Sequence, residues 1–148
     1  MGAGAAPPVR GLRPVAAVAP GVAAATGLSL QQLAAALVGQ LRPAAVVCVD
    51  SLCSAEGQRL GRTVQFSDSG LYPAQADHTR HLTRDTLGVP VVAAGIPTLM
   101  QAQEGADLVV TPRALDSVIA HGAALLAGSV NRALQPRLTV QQLCWLTG

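Results

Sequence analysis

Apolar residues recur along the chain in two alternating patterns: short runs rich in β-branched residues, and longer stretches with helical spacing. The short runs predict strands at 15–19, 44–49, 62–66, 89–93 and 108–110. The longer stretches predict helices at 30–41, from about 112 to 134, and at 140–146. Strands that alternate with helices through short loops favour a three-layer α/β domain with a mainly parallel sheet.

Helix boundaries are marked by residues that suit the ends of helices. Ser29 is a good N-cap for the first helix, and the pair Arg42-Pro43 ends it, because a residue before proline is pushed out of the α region. Thr111 and Thr139 are predicted caps of the later helices. The run AAVVCV that follows the first helix is apolar on both faces, which is typical of a central parallel strand.

Composition limits the classes of protein that the chain can represent. Its 148 residues suit one domain, and 50% hydrophobic against 12% charged residues excludes charge-rich disorder. We predict a flexible leader at 1–14 and a single α/β domain at 15–148. The net charge of +2 is spread along the chain, so no nucleic-acid partner is predicted. Pro20, Gly21 and Gly27 interrupt the longest apolar stretch, so no membrane partner is predicted, and three cysteines form no disulfide framework, which favours a cytoplasmic protein.

Two acidic residues follow predicted strands, where a parallel sheet has its ligand-binding edge. Asp50 is the first acidic residue of the chain and suits general acid or base chemistry, although it would equally cap a following helix. Asp68 opens the triplet Asp68-Ser69-Gly70, which matches the D-[ST]-G triplet of aspartic proteases. An Asx turn is the favoured interpretation of that triplet, since Asp and Gly are typical of tight turns. Both carboxylates are expected on loops at the same edge.

Other kinds of site receive less support. His78, His81 and His121 do not form a pattern that predicts a metal site, and no glycine-rich phosphate loop is present. We therefore predict neither a metal nor a cofactor.

Six sequence blocks, in order, resemble the germination protease family of spore-forming bacteria. They are VAAVAPGVAAATGL (15–28), VVCVDSL (46–52), TVQFSDSGLYP (63–73), TLGVPVVAAGIPT (86–98), LVVTPRALDSVIA (108–120) and NRALQP (131–136). The resemblance implies a fold shared with hydrogenase-maturation proteases and an aspartic-type endopeptidase, a hydrolase of sporulating bacteria. It further implies that small acid-soluble spore proteins are degraded during germination, in the cytoplasm of the spore core.

The resemblance carries one of the family's two catalytic aspartates onto this sequence, because Asp50 matches the Asp of the family's V-I-A-I-D-A-L block. The other belongs to an upstream T-P-D-x-L-G-P block with no counterpart before Val15, so the chain resembles the second half of the protease, as a fragment or a divergent short form. Asp68 is the candidate second catalytic residue. Predicted substrate contacts are Gly21, Ser67, Gly70, Pro97 and Thr98.

Two alternatives stay open on the same fold: a non-catalytic binding or assembly module, and a metal-dependent maturation-type protease. The prediction also leaves a homo-oligomer open.

Overall fold

The computed structural model describes residues 11–21, 27–72, 81–101 and 109–147. Four helices, four strands and one 3₁₀ turn lie within these ranges. In chain order they are α1 (Leu30–Leu41), β1 (Val46–Ser54), the 3₁₀ turn Gly57–Arg59, β2 (Gln65–Ser67), α2 (Arg84–Leu87), β3 (Val91–Gln101), β4 (Val109–Val110), α3 (Leu115–Leu134) and α4 (Val140–Thr147).

β3 is the centre of the sheet, and each of the other three described strands pairs with it. β1 runs parallel to β3, whereas β2 and β4 run antiparallel to it. The order β1-β3-β2 therefore belongs to a mixed sheet. The prediction of a mainly parallel sheet is wrong, because β2 enters from the short turn after β1 and reverses direction.

Helices cover both faces of this sheet, as the predicted three-layer α/β class requires. On one face, Leu30, Ala34 and Val38 of α1 pack against a buried cluster that includes Cys48 of β1 and Ala93 of β3. On the other face α3 packs on β3. The α/β class is confirmed, and its core consists of aliphatic side chains.

The predicted helix boundaries are largely confirmed, because they depend on local chemistry. Ser29 and Gln32 form a capping box at the start of α1 and satisfy two backbone donors that the helix leaves free. Thr139 caps α4, where its hydroxyl accepts the Gln142 N–H at 3.2 Å. α3 begins at Leu115, three residues later than Pro112, and ends at Leu134. The prediction that Thr111 caps this helix is wrong, because Ala114 is the N-cap and no side chain caps it.

The predicted first strand, 15–19, is wrong. Residues 11–21 are irregular and exposed, and they lie beside the end of α3. The Gln135 side chain holds both backbone groups of Arg13, with its Oε1 accepting the Arg13 N–H at 2.8 Å and its Nε2 donating to the Arg13 carbonyl at 2.8 Å. These contacts hold Arg13 beside the C-terminal end of α3.

β1 and β3 are longer than the apolar runs that predicted them. β1 continues past Asp50 to Ser54, and β3 continues through Gly95 and Pro97 to Gln101. The register shifts after Leu52, so Thr98 has no partner in β1. Bulges are sites at which strands tolerate proline, which explains why Pro97 does not end β3.

The proposed division into a leader (1–14) and a domain (15–148) stays a prediction. Within the ranges that the structure covers, no helix has both the length and the apolar character needed to cross a membrane.

The close approach of β1 to β3 at Gly95 gives the first testable expectation. A Cβ at Gly95 would collide with the backbone carbonyl of Asp50 and with the Leu52 side chain. We expect Gly95→Ala to lower the free energy of unfolding by about 1–3 kcal/mol, the usual cost of overpacking. Urea unfolding followed by circular dichroism measures this.

Gly128→Ala is the matched control, because Gly128 lies in α3 with no atom near the position of an added Cβ. This variant should gain about 0.5–1 kcal/mol from helix propensity. A Gly95→Ala protein as stable as the wild type would show that β1 and β3 are not paired in this way.

Candidate active site

Asp50 lies at the midpoint of β1, opposite Gly95 of β3. Its side chain is exposed and lies on the same face of the strand as Cys48, because successive residues alternate between faces. The Ser51 N–H donates to Oδ1 at 2.8 Å. The expectation that Asp50 lies on a loop or caps a helix is therefore wrong, because Asp50 lies within β1 and the strand positions its carboxylate.

Asp68 does not share the position of Asp50. It follows Ser67, the last residue of β2, and Ser67 is aligned with Ala93, two residues before Gly95. Because β2 runs antiparallel to β3, its carboxyl end points toward the amino ends of β1 and β3. β3 also separates the two outer strands by roughly 10 Å. The prediction that both carboxylates lie at one edge is wrong, and the reversal of β2 is the reason.

The turn that carries Asp68 is built by its neighbours. The Ser67 hydroxyl accepts the Ser69 N–H at 3.2 Å and lies 2.6 Å from the Ser69 hydroxyl. Tyr72 donates its hydroxyl proton to the Ser69 carbonyl at 3.2 Å. The favoured interpretation as an Asx turn of Asp68 is corrected: serine supplies the side-chain acceptor.

The predicted substrate contacts are spread over the molecule. Gly21 is exposed in the segment beside α3, and Ser67 is half-buried at the end of β2. Gly70 is buried with φ +107°, and Pro97 and Thr98 are buried within β3. Pro97 lies opposite Leu52, two residues along β1 from Asp50, whereas Ser67 is aligned with Ala93 on the other side of β3. Their roles in binding, and the catalytic roles of Asp50 and Asp68, stay predictions.

The electrostatic neighbour of Asp50 is the Cys48 thiol. Burial raises the pKa of Cys48 above its ordinary value, and the negative charge of Asp50 raises it further. Cys48 is only 8% exposed, so the larger cause is loss of solvent around the thiolate. The pair shows that the field of Asp50 reaches into the core beneath β1.

Histidines contribute no metal centre to the described part of the chain, where no group of three or more His, Cys, Asp or Glu side chains comes together. His81 packs edge-on against Tyr72, with ring centroids 4.8 Å apart. His78 lies outside the described residues.

A groove of about 250 Å³ on the α3 face of the sheet holds a polar pair that the sequence analysis did not single out. Ser117 and His121 are four residues apart on α3, and the Ser117 hydroxyl lies 3.1 Å from Nδ1 of His121. Helical spacing could have revealed the pair. The groove lies beside Ile96 of β3, across the sheet from Asp50.

Sequence comparisons show which known proteins this chain is similar to. The profile of the germination protease family matches residues 8–104, which include the whole of β1, β2 and α2. The chain belongs to the germination protease family.

Named relatives agree with this membership. A germination protease of Clostridium perfringens is 28% identical over 180 aligned positions, covering 89% of this chain and 55% of the relative. One of Halalkalibacterium halodurans is 37% identical over 113 positions, with 75% of this chain and 29% of the relative covered. One of Bacillus subtilis is 38% identical over 94 positions, covering 62% and 26%. The chain thus spans about half the length of these family members, or less.

The effect of the Asp50 charge on Cys48 gives a prediction for the pKa of the Cys48 thiol. Asp50→Asn should lower the pKa of Cys48, while burial keeps it above the ordinary value. Because the folded pKa is raised, the stability that the neutral thiol contributes is present below the unfolded pKa of Cys48. It is lost as the pH rises through the folded pKa. The fall in the free energy of unfolding at alkaline pH should therefore be smaller in Asp50→Asn.

Thiolate absorbance near 240 nm measures this in a Cys53→Ser, Cys144→Ser background, where Cys48 is the only thiol. Asp68→Asn is the control and should leave the titration unchanged. An unaltered Cys48 titration in Asp50→Asn would contradict the placement of these two side chains.

Proposed function

We propose that this chain supplies Asp50 as a catalytic carboxylate of a germination endopeptidase of the aspartic type. The observation that carries the proposal is that Asp50 lies within the residues matched to the family and is held, exposed, at the midpoint of a paired strand. By resemblance to the family, the substrates are small acid-soluble spore proteins in the spore core, and the fold is of the hydrogenase-maturation protease type.

Hydrolysis by a carboxylate pair needs one ionised and one protonated member. The ionised carboxylate takes a proton from water, which attacks the peptide carbonyl carbon. The protonated carboxyl donates its proton to the carbonyl oxygen as the tetrahedral intermediate forms. The proton taken from water then passes to the amine nitrogen as the C–N bond breaks. The Ser51 N–H occupies Oδ1 of Asp50, so we assign Oδ2 as the atom that accepts the proton from water.

Asp68 is too far across the sheet to complete this pair in a single copy of the described chain. A second carboxylate must therefore reach Asp50 from elsewhere for full activity. The same observation supports a second candidate function, a binding module that retains the family's surface and holds spore proteins without cleaving them.

The proposal predicts slow cleavage that depends on Asp50. Purified chain in excess over a small acid-soluble spore protein should release fragments, detected by mass spectrometry, at a rate far below that of a complete carboxylate pair. Asp50→Asn should reduce this rate by at least about 100-fold, the lower range for loss of an acid–base group. A parallel incubation with chelator tests the metal-dependent alternative.

Asp68→Asn is the matched control, with the same chemical change on the neighbouring strand, and should retain the rate within about twofold. Equal loss in the two variants would restore Asp68 as a catalytic partner. Tight binding of the spore protein without fragments, measured by calorimetry, would replace the endopeptidase with the binding module.

A further inference from the structure

One row of residues crosses β1, β3 and β2 at the position of Asp50. Asp50 is aligned with Gly95 of β3, and Gly95 is aligned with Gln65 of β2. Residues that are aligned on neighbouring strands direct their side chains to the same face of a sheet, so Asp50 and Gln65 share a face with a glycine between them. Two strand spacings separate their Cα atoms by about 10 Å.

The surface between these two side chains is apolar. The Leu52 side chain lies over Gly95, where a Cβ of residue 95 would stand. α1 packs against the part of this face that contains Cys48, whereas Asp50 beyond it is exposed, and Leu52 and Gln65 are half-buried. The row therefore has an apolar floor formed by Leu52, with a carboxylate on one side and a carboxamide on the other.

The Gln65 carboxamide has no partner among the residues that the structure describes. Gln32, Gln135 and Gln142 differ, because the amide oxygen of each accepts a backbone N–H. A half-buried amide without a hydrogen bond costs free energy, and a ligand that offers an acceptor removes this cost. Gln65 is therefore placed to receive a ligand on the floor beside it.

The serines that β1 and β2 place on this face are already used. The Ser54 hydroxyl donates to the Glu56 carbonyl at 2.9 Å and accepts the Glu56 N–H at 3.1 Å. The Ser67 hydroxyl accepts the Ser69 N–H at 3.2 Å. Of these polar side chains, Gln65 is the one that keeps its N–H groups for a ligand.

We propose that Gln65 donates a hydrogen bond from Nε2 to the carbonyl oxygen of the peptide bond on which Asp50 acts. This inference rests on the proposed function. A peptide group on the Leu52 floor would present its carbonyl oxygen to Gln65 and its carbonyl carbon to a water held by Asp50. Negative charge develops on that oxygen as the water attacks, and a fixed donor stabilises the charged oxygen more than the neutral carbonyl.

The reaction sequence needs no proton from Gln65. Oδ2 of Asp50 takes a proton from water, the water oxygen bonds to the carbonyl carbon, and the π electron pair of the carbonyl moves to the oxygen that faces Gln65. As the C–N bond breaks, this pair re-forms the carbonyl, and Asp50 passes its proton to the amine nitrogen. Gln65 thus supports the slow cleavage that we expect of Asp50 alone.

The width of the sheet excludes Asp68 as a partner but suits Gln65, because the two roles differ. Carboxylates that share a proton must lie about 3 Å apart. A base and an oxyanion donor instead contact different atoms of a substrate that lies between them. Gln65 is in the row of Asp50, whereas Asp68 follows it by three residues, which places Asp68 about 10 Å further along.

NMR of side-chain amides tests the contact without an activity assay. The chain carries Asp50→Asn, which keeps a small acid-soluble spore protein intact, and the Gln65 signals are the pair that disappears in Gln65→Met. We expect these signals to shift as the spore protein is added, while those of Gln40, an exposed residue of α1, stay in place. Gln65→Met should weaken binding about threefold to tenfold by calorimetry, the effect of one hydrogen bond. Gln40→Met is the matched control and should bind as before.

Cleavage by the full chain tests the catalytic role. Gln65→Met should lower the maximal rate about 100-fold, the usual effect of losing one oxyanion donor, and change the half-saturating concentration by less than about tenfold. Gln65→Glu should be as slow near neutral pH. It should recover relative to Gln65→Met as the pH falls below about 5, because a protonated carboxyl offers an O–H donor. A residue that only supports the fold would not give this pH dependence.

The two experiments separate this inference from the proposed function. Gln65 signals that shift in the absence of cleavage by the wild type would support the contact and contradict the endopeptidase. Cleavage that depends on Asp50 and is unchanged in Gln65→Met would overturn the inference and leave the endopeptidase standing. Gln65 signals that stay in place during binding, or no binding at about 1 mM spore protein, overturn the inference as well.

Discussion

The parallel pairing of β1 with β3 determines where the chemistry of this chain can lie. It aligns Cys48 with Ala93 and Asp50 with Gly95. The contact that buries Cys48 and Ala93 in the core therefore also fixes the position of the Asp50 carboxylate along the sheet. Gly95 is essential to it, since any side chain there would meet the carbonyl of Asp50. β2 and β4 pair with β3 and α3 packs on it, while α1 covers the cluster beneath β1. Loss of the β1–β3 contact would therefore remove core and site together.

Local sequence predicted the helices well, because a helix is decided by neighbours within one or two turns. The capping box at Ser29 and the stop after Leu134 both lie within such a window. The sheet was predicted less well, because strand direction depends on contacts between distant residues. Nothing in the run 62–66 indicates that β2 is antiparallel, and this one reversal moved Asp68 away from Asp50.

Two other misjudgements have the same origin. Gly95 and Pro97 are typical of loops, yet pairing with β1 and a bulge allow β3 to continue through both. Residues 15–19 have strand character, but two hydrogen bonds between Gln135 and Arg13 hold the preceding backbone beside the end of α3. In both cases a contact between distant residues overrode a valid local preference. The Asp68 turn is different, because the neighbouring Ser67 hydroxyl, a local group, supplies the acceptor expected of Asp68.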